Sequence, residues 1–173
     1  FSCYTFVMRN YLFLLLFLFV GCANISTYQP VENAVVLSNP TSTSEPGPTI
    51  ITEVLFYAHE HFGGMEIIVF NLPKGVENET YVMVASRLGG GIPMTSNEQV
   101  AYHITELRVR GLSADADIVF PATSGGYEEA TIHLESSPFG NWGVTDERVW
   151  LIPSKTAPSP NYKNGDVESE NTS

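Results

Sequence analysis

Between residues 50 and 153 the chain alternates short apolar runs, rich in β-branched and aromatic residues, with clusters of Gly, Pro, Asn and Ser. This pattern predicts strands at Ile51–Tyr57, Met65–Phe70, Thr80–Ala85, His103–Arg110, Ala116–Phe120, Ala130–Leu134 and Arg148–Ile152, with a weaker one near Ser136–Trp142. Two of these runs show the period of half-buried strands. Thr105, Leu107 and Val109 alternate with Glu106, Arg108 and Arg110, and Ala130, Ile132 and Leu134 alternate with Thr131 and His133. No stretch carries a helical period long enough to predict a helix. About eight short strands predict an all-β domain, two sheets packed as a Greek-key sandwich.

The flanks read differently. Arg9 and Asn10 precede an apolar run from Tyr11 to Val20, ten residues, whereas a helix crossing ~30 Å of hydrocarbon needs roughly 20. A cleaved signal peptide therefore explains the run better than a permanent span. Its end, Phe19-Val20-Gly21-Cys22, resembles a bacterial lipobox. That resemblance implies a lipidated Cys22 as first mature residue, export, and anchoring to a membrane of the bacterial cell envelope. Ala23 after the Cys, in place of Asp, is compatible with the outer membrane. Residues 1–21 are then upstream residues plus signal peptide, with Met8 as the start. Residues 22–49 are the lipidated Cys and a Ser, Thr and Pro-rich disordered tether, 50–153 the folded domain, and 154–173 a polar disordered tail.

Charge and cysteine usage narrow the function classes. Eight Lys plus Arg stand against 19 Asp plus Glu, a net charge of −11, which leaves no basic surface to neutralise a run of phosphates. Nucleic acid is thus excluded as the expected partner, and the protein or envelope partner is left open. Cys3 and Cys22 are the only cysteines, so the domain itself offers no disulfide, thiolate nucleophile or Cys-based zinc site. Asn24-Ile25-Ser26, Asn78-Glu79-Thr80 and Asn171-Thr172-Ser173 fit the glycosylation pattern, which matters only for a eukaryotic source.

The most specific motif is Tyr57-Ala58-His59-Glu60-His61-Phe62-Gly63-Gly64. An aromatic, four residues, a second aromatic, one residue and a Gly resemble the signature hairpin of βγ-crystallins, here Tyr57, Phe62 and Gly64. The resemblance implies a hairpin folded over its sheet, an aromatic clamp, and Gly64 at positive φ. It also implies a non-enzymatic structural or binding role, since some secreted members of that fold inhibit proteases. A looser second half runs from Ile118-Val119-Phe120 through Gly125-Gly126-Tyr127 to Trp142-Gly143-Val144. Many microbial members bind calcium through paired Asn or Asp ahead of the fourth strand. This sequence keeps only Asp146 there, too few oxygens for a hard cation that takes six to eight.

A different class of function competes for the same residues. His59-x-His61-x4-Glu66 followed by His103 has the ligand types and order of a cupin site, which implies a metalloenzyme holding Mn, Fe or Ni. The flanking glycines of the cupin pattern are absent, and exposed histidines on a hairpin and a strand satisfy the sequence as well. Gly89-Gly90-Gly91 lacks the Lys and Ser/Thr of a phosphate loop and reads as a mobile connection. Ser124 has no nucleophile elbow around it. Trp142 and Trp150 read as packing residues, with a carbohydrate platform as the lesser option.

Overall fold

The structure, a computed structural model, describes residues 25–28, 44–63, 65–123, 125–154 and 156–163. In chain order its elements are β1 (Ile25–Tyr28), α1 (Gly47–Phe62), β2 (Val69–Asn71), α2 (Asn78–Arg87) and β3 (Ile92–Pro93). The long strands β4 (Tyr102–Arg110), β5 (Ser113–Pro121), β6 (Tyr127–Ser136) and β7 (Trp142–Ser154) follow. The protein is mostly β. All the described strands belong to one sheet in the order β3-β2-β4-β5-β6-β7, with β1 also paired to β4. The β3-β2-β4 side is parallel, and β4 to β7 form an antiparallel meander.

Two expected strands are helices. The segment expected as Ile51–Tyr57 lies in α1, and that expected as Thr80–Ala85 lies in α2. In α1 the buried positions Ile50, Ile51, Val54, Leu55 and Ala58 follow the spacing of one helix face, as do Thr80, Tyr81 and Val84 in α2, while Val82 is exposed. β-Branched residues at these positions favour a strand locally, but burial of one helical stripe against the sheet overrides that preference. Pro48 occupies the first turn of α1, where no intrahelical N–H is needed. Arg87 at the end of α2 bonds Glu45 at 2.5 Å and Thr49 at 2.8 Å, which ties the two helices together. The segment expected near Ser136–Trp142 is mainly the β6–β7 turn, closed by Ser137 N donating to Asn141 O at 2.8 Å.

One sheet covered by helices replaces the expected pair of sheets among the described residues. Helix α1 packs on β4, β5, β7 and α2. The core between them holds Ile104, Leu107, Ala114, Ala116, Ile118, Ala130, Ile132 and Leu134 from the sheet. The alternation anticipated in β6 holds in full. In β4 it shifts at a bulge between Ile104 and Glu106, which turns both Ile104 and Leu107 inward.

The chain ends also depart from expectation. Residues 25–28, expected in the tether, form β1, and Gly47 and Pro48 are buried parts of α1. Residues 156–163, expected in a disordered tail, include a strap across β2 and α2. Asn71 donates to Ser159 O at 2.9 Å and accepts from Asn161 N at 2.9 Å, and Tyr162 packs on Tyr81 with centroids 5.0 Å apart. The glycine run after α2 is a helix stop. Gly89 and Gly90 take φ of 70° and 123°, and the N–H groups of Gly90 and Gly91 cap Ala85 O.

Gly63, which ends α1 in extended backbone, marks a close approach. A Cβ there would lie 2.6 Å from the Tyr102 hydroxyl, which is fully buried and hydrogen-bonds to nothing among the described residues. Gly63→Ala is therefore expected to cost about 1–3 kcal/mol through overpacking. Tyr102→Phe in the same chain removes the clashing oxygen and should restore most of the loss. Urea melts of the two single variants and the double variant measure that coupling; additive effects would show that the contact is not the cause.

Candidate functional site

Four of the residues singled out from sequence sit around the C-terminal end of α1. Tyr57 and Phe62 do pack edge to face, with centroids 6.2 Å apart, but on a helix and not on a hairpin. Phe62 stacks on Phe120 at 4.2 Å, and the Tyr57 hydroxyl donates to Glu147 at 2.8 Å. Burial and then that carboxylate push the Tyr57 phenol up to about 12. His61 is exposed, stacks on Tyr57 at 3.9 Å and contacts its carbonyl at 2.9 Å, the pairing of residues four apart on a helix. His59 faces Tyr102 edge to face, and its Nδ1 is buried without a partner among the described residues. Gly64 and Cys22 lie outside the described residues.

The suggested metal ligands occupy different elements. His59 and His61 end α1, Glu66 is exposed in the following loop, and His103 lies on β4. Among the described residues, no three His, Cys, Asp or Glu side chains come together as a metal site requires. The calcium candidate Asp146 is on β7 opposite His133.

His103, expected exposed at a strand start, is buried at 1% exposure because the C-terminal strap closes over its end of the sheet. Its Nδ1 lies 3.3 Å from Asn71 Nδ2. An amide nitrogen can only donate, so Nδ1 accepts and the proton of the neutral ring is assigned to Nε2. That Nε2 has no partner among the described residues, and burial pushes the imidazole down to about 4. Asn71, Lys74, Thr105, Ser159 and Asn161 join His103 around a cleft of about 220 Å³.

The larger feature is the sheet face turned away from the helices. Register places Glu106, Asp117, Thr131 and Arg148 in one cross-strand row and Arg108, Asp115, His133 and Asp146 in the next. Arg108 grips Asp117 in a fork at 2.6 and 3.1 Å and reaches Glu106 at 3.1 Å. Burial alone would raise the Asp117 carboxyl, but the hydrogen bonds from Arg108 and Thr131 outweigh it and hold it below its ordinary value. The same Asp117 bonds raise Arg108 further. His133 meets Asp115 at 2.6 Å. The indole N–H of Trp150 donates to Thr131 at 3.2 Å, and the Arg148 guanidinium stands 4.8 Å from the Trp150 ring centroid. Beside this ring, Thr105, Asp117, Val119, Glu129 and Thr131 line a shallow cleft of about 220 Å³.

This arrangement presents hydrogen-bonding groups and an aromatic ring in fixed positions on a rigid sheet, which suits recognition. The sequence reading missed Asp117, Thr131 and Arg148 as a group. The available signal was the outward phase of the alternation, since Asp115 and Asp117, Thr131 and His133, and Arg148 and Trp150 are each two apart. Among known proteins, no family model, curated sequence or solved structure matches this chain.

Proposed function

We propose that the chain is a lipid-anchored protein of a bacterial cell envelope whose domain binds a partner without catalysing a reaction. The outer face of β4 to β7 is the surface it offers. The observation that carries the reading is that face itself. Trp150 is 43% exposed, its indole is tied to Thr131, and Arg108 and Asp117 form a cross-strand ion pair on the same face. Pre-formed polar groups beside an exposed aromatic favour binding, because little ordering remains to be done on association. The βγ-crystallin resemblance contributes nothing to this reading, because Tyr57 and Phe62, which carried it, lie on α1. A protease-inhibitor role has no separate support.

The anchor is tested directly. The protein carrying Cys22 should fractionate with membranes, and Cys22→Ser should appear in the soluble fraction or remain unprocessed. One acyl chain holds a protein only marginally, whereas the two or three of a bacterial lipoprotein hold it durably, so the difference should be near-complete. Membrane association unchanged in Cys22→Ser overturns the proposal.

A further inference from the structure

Among the described residues, the two largest exposures of apolar side chains in the sheet and its turns lie at one end of it. Phe139, in the β6–β7 turn, is 91% exposed, and Leu112, in the β4–β5 turn, is 63% exposed. The turns adjoin, because Ser136 N donates to Leu112 O at 2.7 Å. Ser137-Pro138-Phe139-Gly140-Asn141 carries no charge, although the chain as a whole has a net charge of −11. On the N-terminal side of the two turns along the chain stand Arg110, at the end of β4, and Glu135, whose carboxylate lies 3.8 Å from His133. Within the turn, Gly140 at φ 83° and the hydrogen bond from Gly140 N to Ser137 O fix the chain so that Phe139 projects from its tip.

The first strand ends at the same place. β1 runs antiparallel to β4 with Ile25 opposite Arg110, so its N-terminal residue borders the β4–β5 turn. Cys22 stands three residues before Ile25, and three residues of fully extended chain reach at most about 11 Å. An anchor at Cys22 would therefore keep this end of the sheet close to the bilayer.

We infer that the end of the sheet formed by the β4–β5 and β6–β7 turns rests on the membrane, with Leu112 and Phe139 inserted among the lipids. This rests on the lipid anchor proposed above. The chemistry fits a lipid surface: two apolar tips enter the acyl boundary, and Arg110 lies at the depth of anionic headgroups. Two side chains alone bind a bilayer weakly. Tethering makes their contact intramolecular, so weak insertion suffices to fix the orientation. The outer face of β4 to β7 then stands upright from the membrane and open to a partner.

The test uses the full chain lipidated in a bacterial host, where modification consumes the Cys22 thiol. Phe139→Cys, Leu112→Cys and, at the opposite end of the sheet, Thr123→Cys then each supply one free thiol for an environment-sensitive fluorophore. The proteins are reconstituted into phosphatidylethanolamine and phosphatidylglycerol vesicles with and without a lipid-borne quencher. Labels at 139 and 112 should shift to the blue and be quenched several-fold more than the label at 123. Anchored protein whose three labels read alike overturns the orientation alone. Protein that stays in solution with a reactive Cys22 overturns the anchor and the orientation with it. Labels at 139 and 112 already shielded in detergent, with a dimer in sedimentation, would assign the tips to a second copy of the chain and likewise overturn the inference.

Discussion

Asn71→Leu is expected to lower the free energy of unfolding by about 3–5 kcal/mol, the scale of a broken buried polar network. Asn71 is 1% exposed and serves four partners. Its amide nitrogen donates to Ser159 O at 2.9 Å and lies 3.3 Å from His103 Nδ1, while its oxygen accepts from Asn161 N at 2.9 Å and from the Tyr81 hydroxyl at 3.3 Å. Leucine is close in shape and offers none of these bonds. His103 Nδ1 would be left buried and unpaired, and the strap would lose two backbone anchors together. Tyr81 is less affected, since its oxygen also accepts from Leu72 N at 3.0 Å. Asn161→Ala removes only the bond from its side chain to Leu72 O, and should cost about 1 kcal/mol. Denaturant melts give both values, and limited proteolysis within residues 156–163 reads whether the strap has lifted. A loss below about 1 kcal/mol for Asn71→Leu would mean that the strap contributes little to the folded state.

The long strands were legible, though not their order in a single sheet, because a strand's signal is local. Each of β4, β5 and β6 has a wet face, so polar and apolar residues must alternate, and turns at Gly111-Leu112 and Gly125-Gly126 bound them. The helices were not legible from the same reading. Ile50, Ile51, Val54 and Leu55 are β-branched or aliphatic residues that also suit a strand, and only the sheet beneath decides that their shared face is helical. The strap gave still less signal. Pro158-Ser159-Pro160-Asn161 has no apolar period, and its attachment depends on polar atoms of Asn71 and Leu72 far away in sequence. For the same reason His103 read as an exposed strand residue. Its burial comes from a segment more than fifty positions later. The outer face stands between these cases. Which residues point outward follows from alternation, but the pairing of Arg108 with Asp117 depends on a register set by the β4 bulge.

His103 also sets the expected response to acid. Its imidazole is held down at about 4 by burial, against 6.5 when exposed, so the folded state binds this proton less readily than the unfolded chain. The stability it contributes is fully present above pH 6.5. It is lost progressively as pH falls toward 4, because the unfolded state gains a proton that the folded state resists. Each pH unit in this window corresponds to about 1.4 kcal/mol, and allowing for some water access the total loss is about 2–3 kcal/mol. Asp117 acts later. Its carboxyl lies below its ordinary 3.8, so the stability from its bonds to Arg108 and Thr131 is present above that value and lost as pH falls through the lowered one. The two effects therefore fall in separate windows. His103→Gln keeps an acceptor for Asn71 and cannot titrate, so its unfolding free energy should be nearly flat between pH 6.5 and 4, and should still fall below that range. Denaturant melts at stepped pH decide the matter: an equal slope in the original protein and in His103→Gln would assign the acid sensitivity to other groups and remove His103 from this role.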